Sequence, residues 1–303
     1  MNKHANGVKN RKWLFSKSID ILFLLLPVWV CWLVCFSLPE SILYKELPLW
    51  FWVVFILGID VSHVWSTIFR TYLDKEEFEL HKTLLLFTPF VAFLFLFCLA
   101  FISHLWFWRF LAYLALYHFI KQQYGFLALY KAKFKQNLHQ KILQDKWVIY
   151  FSMVYPVIFW HLSGNRVFNW FVQGDFFIPF TKIPDNLYSI STNIGNILQV
   201  ANILYWMVIA TWLAEEVLLS LNKKQPIAIG KILWLVTTAC NWYLGIVYFN
   251  SDIAFSLTNV VAHGIPYIVL IFFYVEKKKQ VKQKKSSGLL KGILNISLML
   301  ILI

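Results

Sequence analysis

The chain has 303 residues, 59% hydrophobic, 19% aromatic and 14% charged, a balance far from that of a soluble domain. Its formal charge of +13 lies in short basic segments between apolar runs, not on one amphipathic face, so it reads as a topology signal and a nucleic-acid partner is excluded. The expected fold is all-α, a polytopic transmembrane bundle of about eight or nine helices, because each apolar run is long enough to cross a hydrocarbon core of roughly 30 Å.

In chain order, a basic segment at 1–19 precedes a first span at about 20–38. No small-residue cleavage site follows it, so it is expected to remain as an uncleaved helix. Further spans are expected at about 48–70, 83–103, 107–130, 147–163, 194–221, 227–249 and 253–275. Residues 20–275 thus read as one transmembrane helical domain. Residues 276–303 read as a basic cytoplasmic segment followed by a short apolar helix, Leu289 to Ile303, which suits a short ninth span or an interfacial helix equally.

With a cytoplasmic N-terminus, the lysines at 3–17, 75–82, 131–146, 223–224 and 277–285 all fall inside, as the positive-inside rule requires. The expected location is a bacterial inner membrane. Cys31, Cys35, Cys98 and Cys240 lie within apolar spans without metal-type spacing and read as small core residues. No internal repeat supports an inverted-repeat transporter.

Ionisable groups inside a span are costly unless paired or facing a cavity, so each is a candidate for function. They form three stripes. The second span places Asp60, His63, Thr67, Arg70 and Asp74 at steps of 3 and 4, on one helix face, with Glu77 and His81 continuing the rhythm. The fourth sets His118, Lys121, Gln122 and Gly125 together. The eighth aligns Ser256, Asn259, His263 and Tyr267, and Pro266 frees the carbonyl of Ala262. Counted from the outer boundary, His118 and His263 lie about 15 Å deep, with Asp60 close to that level and His63 a turn deeper.

Three imidazoles and a carboxylate near one level suit a metal: iron without haem first, copper or zinc next. His63, His118 and His263 are the expected ligands, with Asp60 a further ligand or the acceptor for an imidazole N–H, and His81 a lower extension. Gln122 and Asn259 are expected to orient His118 and His263, and Arg70 to balance carboxylate charge or hold an anionic head group. Glu215 and Glu216 read as ion-pair partners for Arg70, Lys121 or Lys231. His104 and His161 read as interfacial residues.

The aromatic residues would line a pocket for a lipophilic substrate, a lipid, polyene or hydrocarbon, and an oxidase would also need an electron donor. Other readings fit parts of the pattern. His118 and His263 could be axial ligands of a b-type haem. Asn259 and His263 could serve a membrane acyltransferase. Asp60, His63, Arg70 and Lys121 could form the relay of a transporter or proton pathway.

The contexts HVWST, YHFIKQQYG and NVVAHGIPY resemble the multi-histidine integral membrane non-haem iron enzymes. YHF and HGIPY are most similar to the bacteriorhodopsin-related (Brp/Blh-like) β-carotene dioxygenase family. That resemblance implies iron held by His63, His118 and His263 and cleavage of a polyene with dioxygen. The HxxxH and HxxHH boxes of membrane desaturases are absent.

Overall fold

The computed structural model describes residues 12–134, 142–163, 171–177, 188–223 and 227–286. The expected apolar stretch at Leu289 to Ile303, and His4 and His139, lie outside these residues. The regular structure of the described residues is all helix, and every span expected at 20–275 falls on a helix.

We number the long helices α1 (Lys17–Ser37), α2 (Leu49–Phe69), α3 (Lys75–Ile102), α4 (His104–Phe134), α5 (Asp145–Leu162), α6 (Tyr188–Lys223) and α7 (Ile229–Trp242). The last helix, α8, starts as Asp252–Phe255, passes through wide π-type turns over Ser256–Val260 and continues as Val261–Ser286.

Local chemistry sets the boundaries. Ser16 caps α1 through its hydroxyl, and α1 ends just before Pro39. Pro48 precedes α2. The Asp74 carboxylate accepts from the amides of Glu76 and Glu77, so α3 begins at Lys75 and not at about 83. The helix absorbs its polar first turns through a kink at His81 (φ −116°, ψ 20°). Ser103 separates α3 from α4 and caps the latter's first turn at Trp106.

Among the described residues, five helices are long and apolar enough to cross a membrane: α1, α2, α3, residues 194–221 of α6 and residues 252–281 of α8. The other three expected spans are helical but fall short of that standard. α4 carries the polar stripe, α5 includes Asp145, Lys146 and His161 in its 18 residues, and α7 has 14 before it passes into wide turns over Tyr243–Tyr248.

The surface is apolar over long stretches, and several charged groups are buried in an otherwise apolar core. α3 has no buried residue and exposes Phe87, Phe90, Phe93 and Phe97, an apolar face of the size that marks a membrane or protein contact. The interior instead holds Asp20, Asp145, Glu216 and Lys231, each essentially inaccessible. Lys231 pairs with Glu216 and lies 3.2 Å from Asp145, which also accepts from Trp212 Nε1 at 2.9 Å and faces Lys131 at 3.6 Å. These groups tie α4, α5, α6 and α7 at one end. Of the partners expected for Glu216, Lys231 is the one it takes, while Glu215 accepts from the amides of Ile142 and Leu143.

α2 and α8 run parallel in a constant register. His63 meets His263, Thr67 meets Tyr267 at 3.5 Å, and Asp74 meets Tyr274 at 3.1 Å, each pair 200 residues apart in sequence. The polar stripe expected on the second span is therefore the seam that packs on the last helix.

Candidate metal centre

His63 on α2 and His263 on α8 are buried, whereas His118 on α4 is exposed on one side. One ring nitrogen from each lies within 4.8 Å of the others. His63 Nε2 and His263 Nε2 are 2.8 Å apart, with ring planes at 87°. Two ligands each about 2.0–2.1 Å from one cation stand roughly 3 Å apart when adjacent in its coordination shell, so this pair has the right separation. His118 lies edge-on to His263 with centroids 4.9 Å apart and near-parallel to His63 at 5.9 Å.

Helix irregularity brings His63 to this level. The sequence count places it a turn below His263, but α2 forms wide turns over Trp52–Val61, twice the length of those in α8. Wide turns shorten the rise per residue, and His63 is drawn up beside its partner. The helices also approach closely here. A β-carbon at Gly264 would lie 2.5 Å from Ile59 Cγ2 and 3.1 Å from the Ile59 carbonyl, so only glycine admits this spacing.

The shell around the histidines is lopsided. Phe119 stacks on the His263 ring at 3.7 Å and 17°, closing that side. Gln122 Nε2 donates to the His263 carbonyl at 2.6 Å, and Gln123 Nε2 donates to that of Ala262 at 3.2 Å. Pro266 removes the amide that would serve Ala262, so Gln123 replaces a missing helical bond. Thr238 donates to Gln123 Oε1 and the Trp234 indole to the Gln123 carbonyl, which anchors α4 and α8 to α7.

The polar atoms left over also point to a bound cation. His63 Nδ1 and Asp60 Oδ1 lie 3.4 Å apart, and both are buried without a hydrogen bond, as are His263 Nδ1 and Gln122 Oε1. Unmade bonds of this kind are costly. When an imidazole binds a cation through Nε2, its Nδ1 becomes an N–H donor, and Asp60 is the acceptor in place for His63. A carboxylate here also offsets the positive charge that neutral imidazoles leave uncompensated. The donor set and its surroundings fit a metal ion.

Several expected residues stand elsewhere. Gln122 secures the backbone at His263 and does not act on the His118 ring. Asn259 accepts from Asn241 and donates to Thr258, so it joins α8 to α7 and does not orient His263. The reason is common to both: a polar residue one turn from a histidine points where the nearest unmet partner lies, and sequence spacing does not locate that partner. His81 lies on α3, 4.0 Å from Glu77, outside the histidine group. The Arg70 guanidinium, just past the end of α2, stands 5.9 Å from the Tyr274 ring and away from the histidines.

His104 accepts from Trp108, and His161 contacts Tyr113 at 2.8 Å. Sequence reasoning passed over Phe119, Gln123 and Gly264. The one available signal was the carbonyl freed by Pro266, which requires a donor.

The centre is therefore a clustered three-histidine site able to coordinate a metal ion within an all-α bundle of long apolar helices. Comparisons with protein-family models, with curated proteins and with solved structures gave no match.

Proposed function

We propose that this chain is an integral membrane enzyme in which His63, His118 and His263 hold a non-haem iron ion that oxidises or oxygenates a lipophilic substrate. The observation that carries the reading is the convergence of three imidazole nitrogens within 4.8 Å, from helices distant in sequence. Neutral imidazole donors suit iron, copper or zinc. Iron is preferred because the surroundings are hydrocarbon-like, where oxidative chemistry on C–H or C=C bonds has substrates and hydrolysis lacks water. The likeness of the histidine contexts to the membrane dioxygenases points the same way.

Bound iron would supply activation of dioxygen and electron transfer to or from the substrate. The chain's own contribution is to hold the rings. Asp60, 3.4 Å from His63 Nδ1, would accept the N–H of a metal-bound His63, Gln122 and Gln123 fix the α8 backbone at His263, and Phe119 covers the closed side. Five helices suited to crossing a membrane support embedding in a bilayer, and the basic segments support a cytoplasmic N-terminus. An electron donor would dock on that side. His118 and His263, the pair a b-type haem would use, have ring centroids 4.9 Å apart, too close for a macrocycle between them.

Metal content and absorption of the detergent-purified protein test this reading. Near-stoichiometric iron without a Soret band, lost in His63→Ala, His118→Ala and His263→Ala, is the expected result. Folded protein that takes up no metal would overturn it and favour the relay reading.

A further inference from the structure

Lys121 is the cation the site leaves unexplained. It lies three residues after His118 on α4, so both project from the same face, which is exposed and includes Leu114 and Tyr117. Other lysines that pack into the bundle meet oxygen acceptors: Lys231 meets Glu216 and Asp145, Lys131 meets Asp145, Lys278 meets Asp74 and Glu76, and Lys133 donates to the Leu14 carbonyl. Lys121 has the Tyr124 ring at 6.0 Å and no carboxylate among the described residues. It stands ten residues from Lys131, about 15 Å along the helix, farther than its four-carbon stem can reach toward the basic end. A lysine at such a depth implies an anionic partner.

The geometry of the histidine site indicates what that partner is. Phe119 and the Gln122–Gln123 pair close one side, and His118 is the ligand on the open side. That opening lies on an apolar helix face, so what arrives there comes from the bilayer. A charged head with a long hydrocarbon chain satisfies both requirements.

Resting on the metal-site reading above, we propose that Lys121 binds the anionic oxygen head of a long-chain amphiphile, a carboxylate or phosphate, and lays the adjoining part of the chain across the open side beside His118. The site then acts within a few bonds of the head group, and neutral hydrocarbons are poor substrates.

The experiment is equilibrium binding of oleate, oleyl phosphate, methyl oleate and oleyl alcohol to the full chain in nanodiscs of zwitterionic lipid. It is run on wild type, Lys121→Met and Lys121→Arg, each metal-loaded and chelator-stripped. One charge-assisted contact corresponds to a preference on the order of tenfold or more. Wild type and Lys121→Arg should bind an anionic ligand at least about tenfold more tightly than its neutral analogue, and Lys121→Met should lose that preference while keeping its metal.

Whichever head group binds better, carboxylate or phosphate, identifies the source. Equal binding of charged and neutral ligands by wild type, or an unchanged preference in Lys121→Met, would overturn the proposal. Binding by stripped protein separates the outcomes: a chain that never holds metal yet keeps the Lys121-dependent preference refutes the iron reading and not this one.

Discussion

Gly264 faces Ile59 so closely that a β-carbon would fall 2.5 Å from the isoleucine Cγ2 and 3.1 Å from its carbonyl oxygen. This contact sits one residue from His263 and four from His63, and it sets the distance between the helices that carry them. The seam continues through Thr67 and Tyr267 to Asp74 and Tyr274, so a displacement at Gly264 is transmitted to the centre along two stiff, parallel elements.

Gly264→Ala should therefore weaken metal binding and lower thermal stability together. Overpacking at such a contact costs about 1–3 kcal/mol. Ile59→Ala removes the clashing methyl, and the double variant should regain much of both losses. A double variant as impaired as Gly264→Ala would show that the spacing is not set here.

Asp60→Ala removes the acceptor facing His63 Nδ1. Loss of such an outer partner lowers metal affinity by about 10–100-fold, measured by chelator competition. Asp60→Asn, which keeps an amide oxygen, should lie between this variant and wild type. If both variants hold metal as tightly as wild type, Asp60 does not set the His63 tautomer.

Gln123→Met is a shape-conserving change that leaves the Ala262 carbonyl without its partner, while the Thr238 hydroxyl keeps the Trp234 carbonyl as acceptor. An unsatisfied buried group costs about 1–3 kcal/mol, so the melting temperature should fall by several degrees. Metal affinity should fall as well, because the α8 backbone beside His263 is no longer held. A loss of stability with unchanged affinity would limit Gln123 to a structural role.

Asp74, between α2 and α3, provides a pH signature. Burial alone would raise its carboxyl, but hydrogen bonds from Lys278 and Tyr274, with the charge of Lys278, outweigh burial and hold it below the ordinary value. A depressed carboxyl contributes stability that is complete above the unfolded value of about 3.9 and is lost as pH falls through the lower native value. The stability gap between wild type and Asp74→Asn should be constant from neutral pH down to about pH 5 and close below about pH 4. A gap unchanged at acid pH would contradict this assignment.

Much of the architecture was legible in the amino-acid sequence because its causes are local. Apolar runs of membrane length act within a few residues and place the helices without reference to their neighbours, whereas the Asp74 cap that starts α3 at Lys75 went unread because Asp74 fits the polar rhythm of the preceding span. The candidate ligands were legible for a similar reason: a histidine in an apolar run is expensive and demands a partner, and His63, His118 and His263 have found one another. The partners themselves could not be read this way.

Whether Asn259 faced His263 or Asn241, and whether His81 joined the centre or stayed with Glu77, depended on helix rotation and neighbour choice. The Asn241–Asn259 hydrogen bond and the His81–Glu77 contact on α3 settle these questions. Sequence determined which groups had to be satisfied; only the tertiary structure, through packing between helices far apart in the chain, decided which group satisfies which.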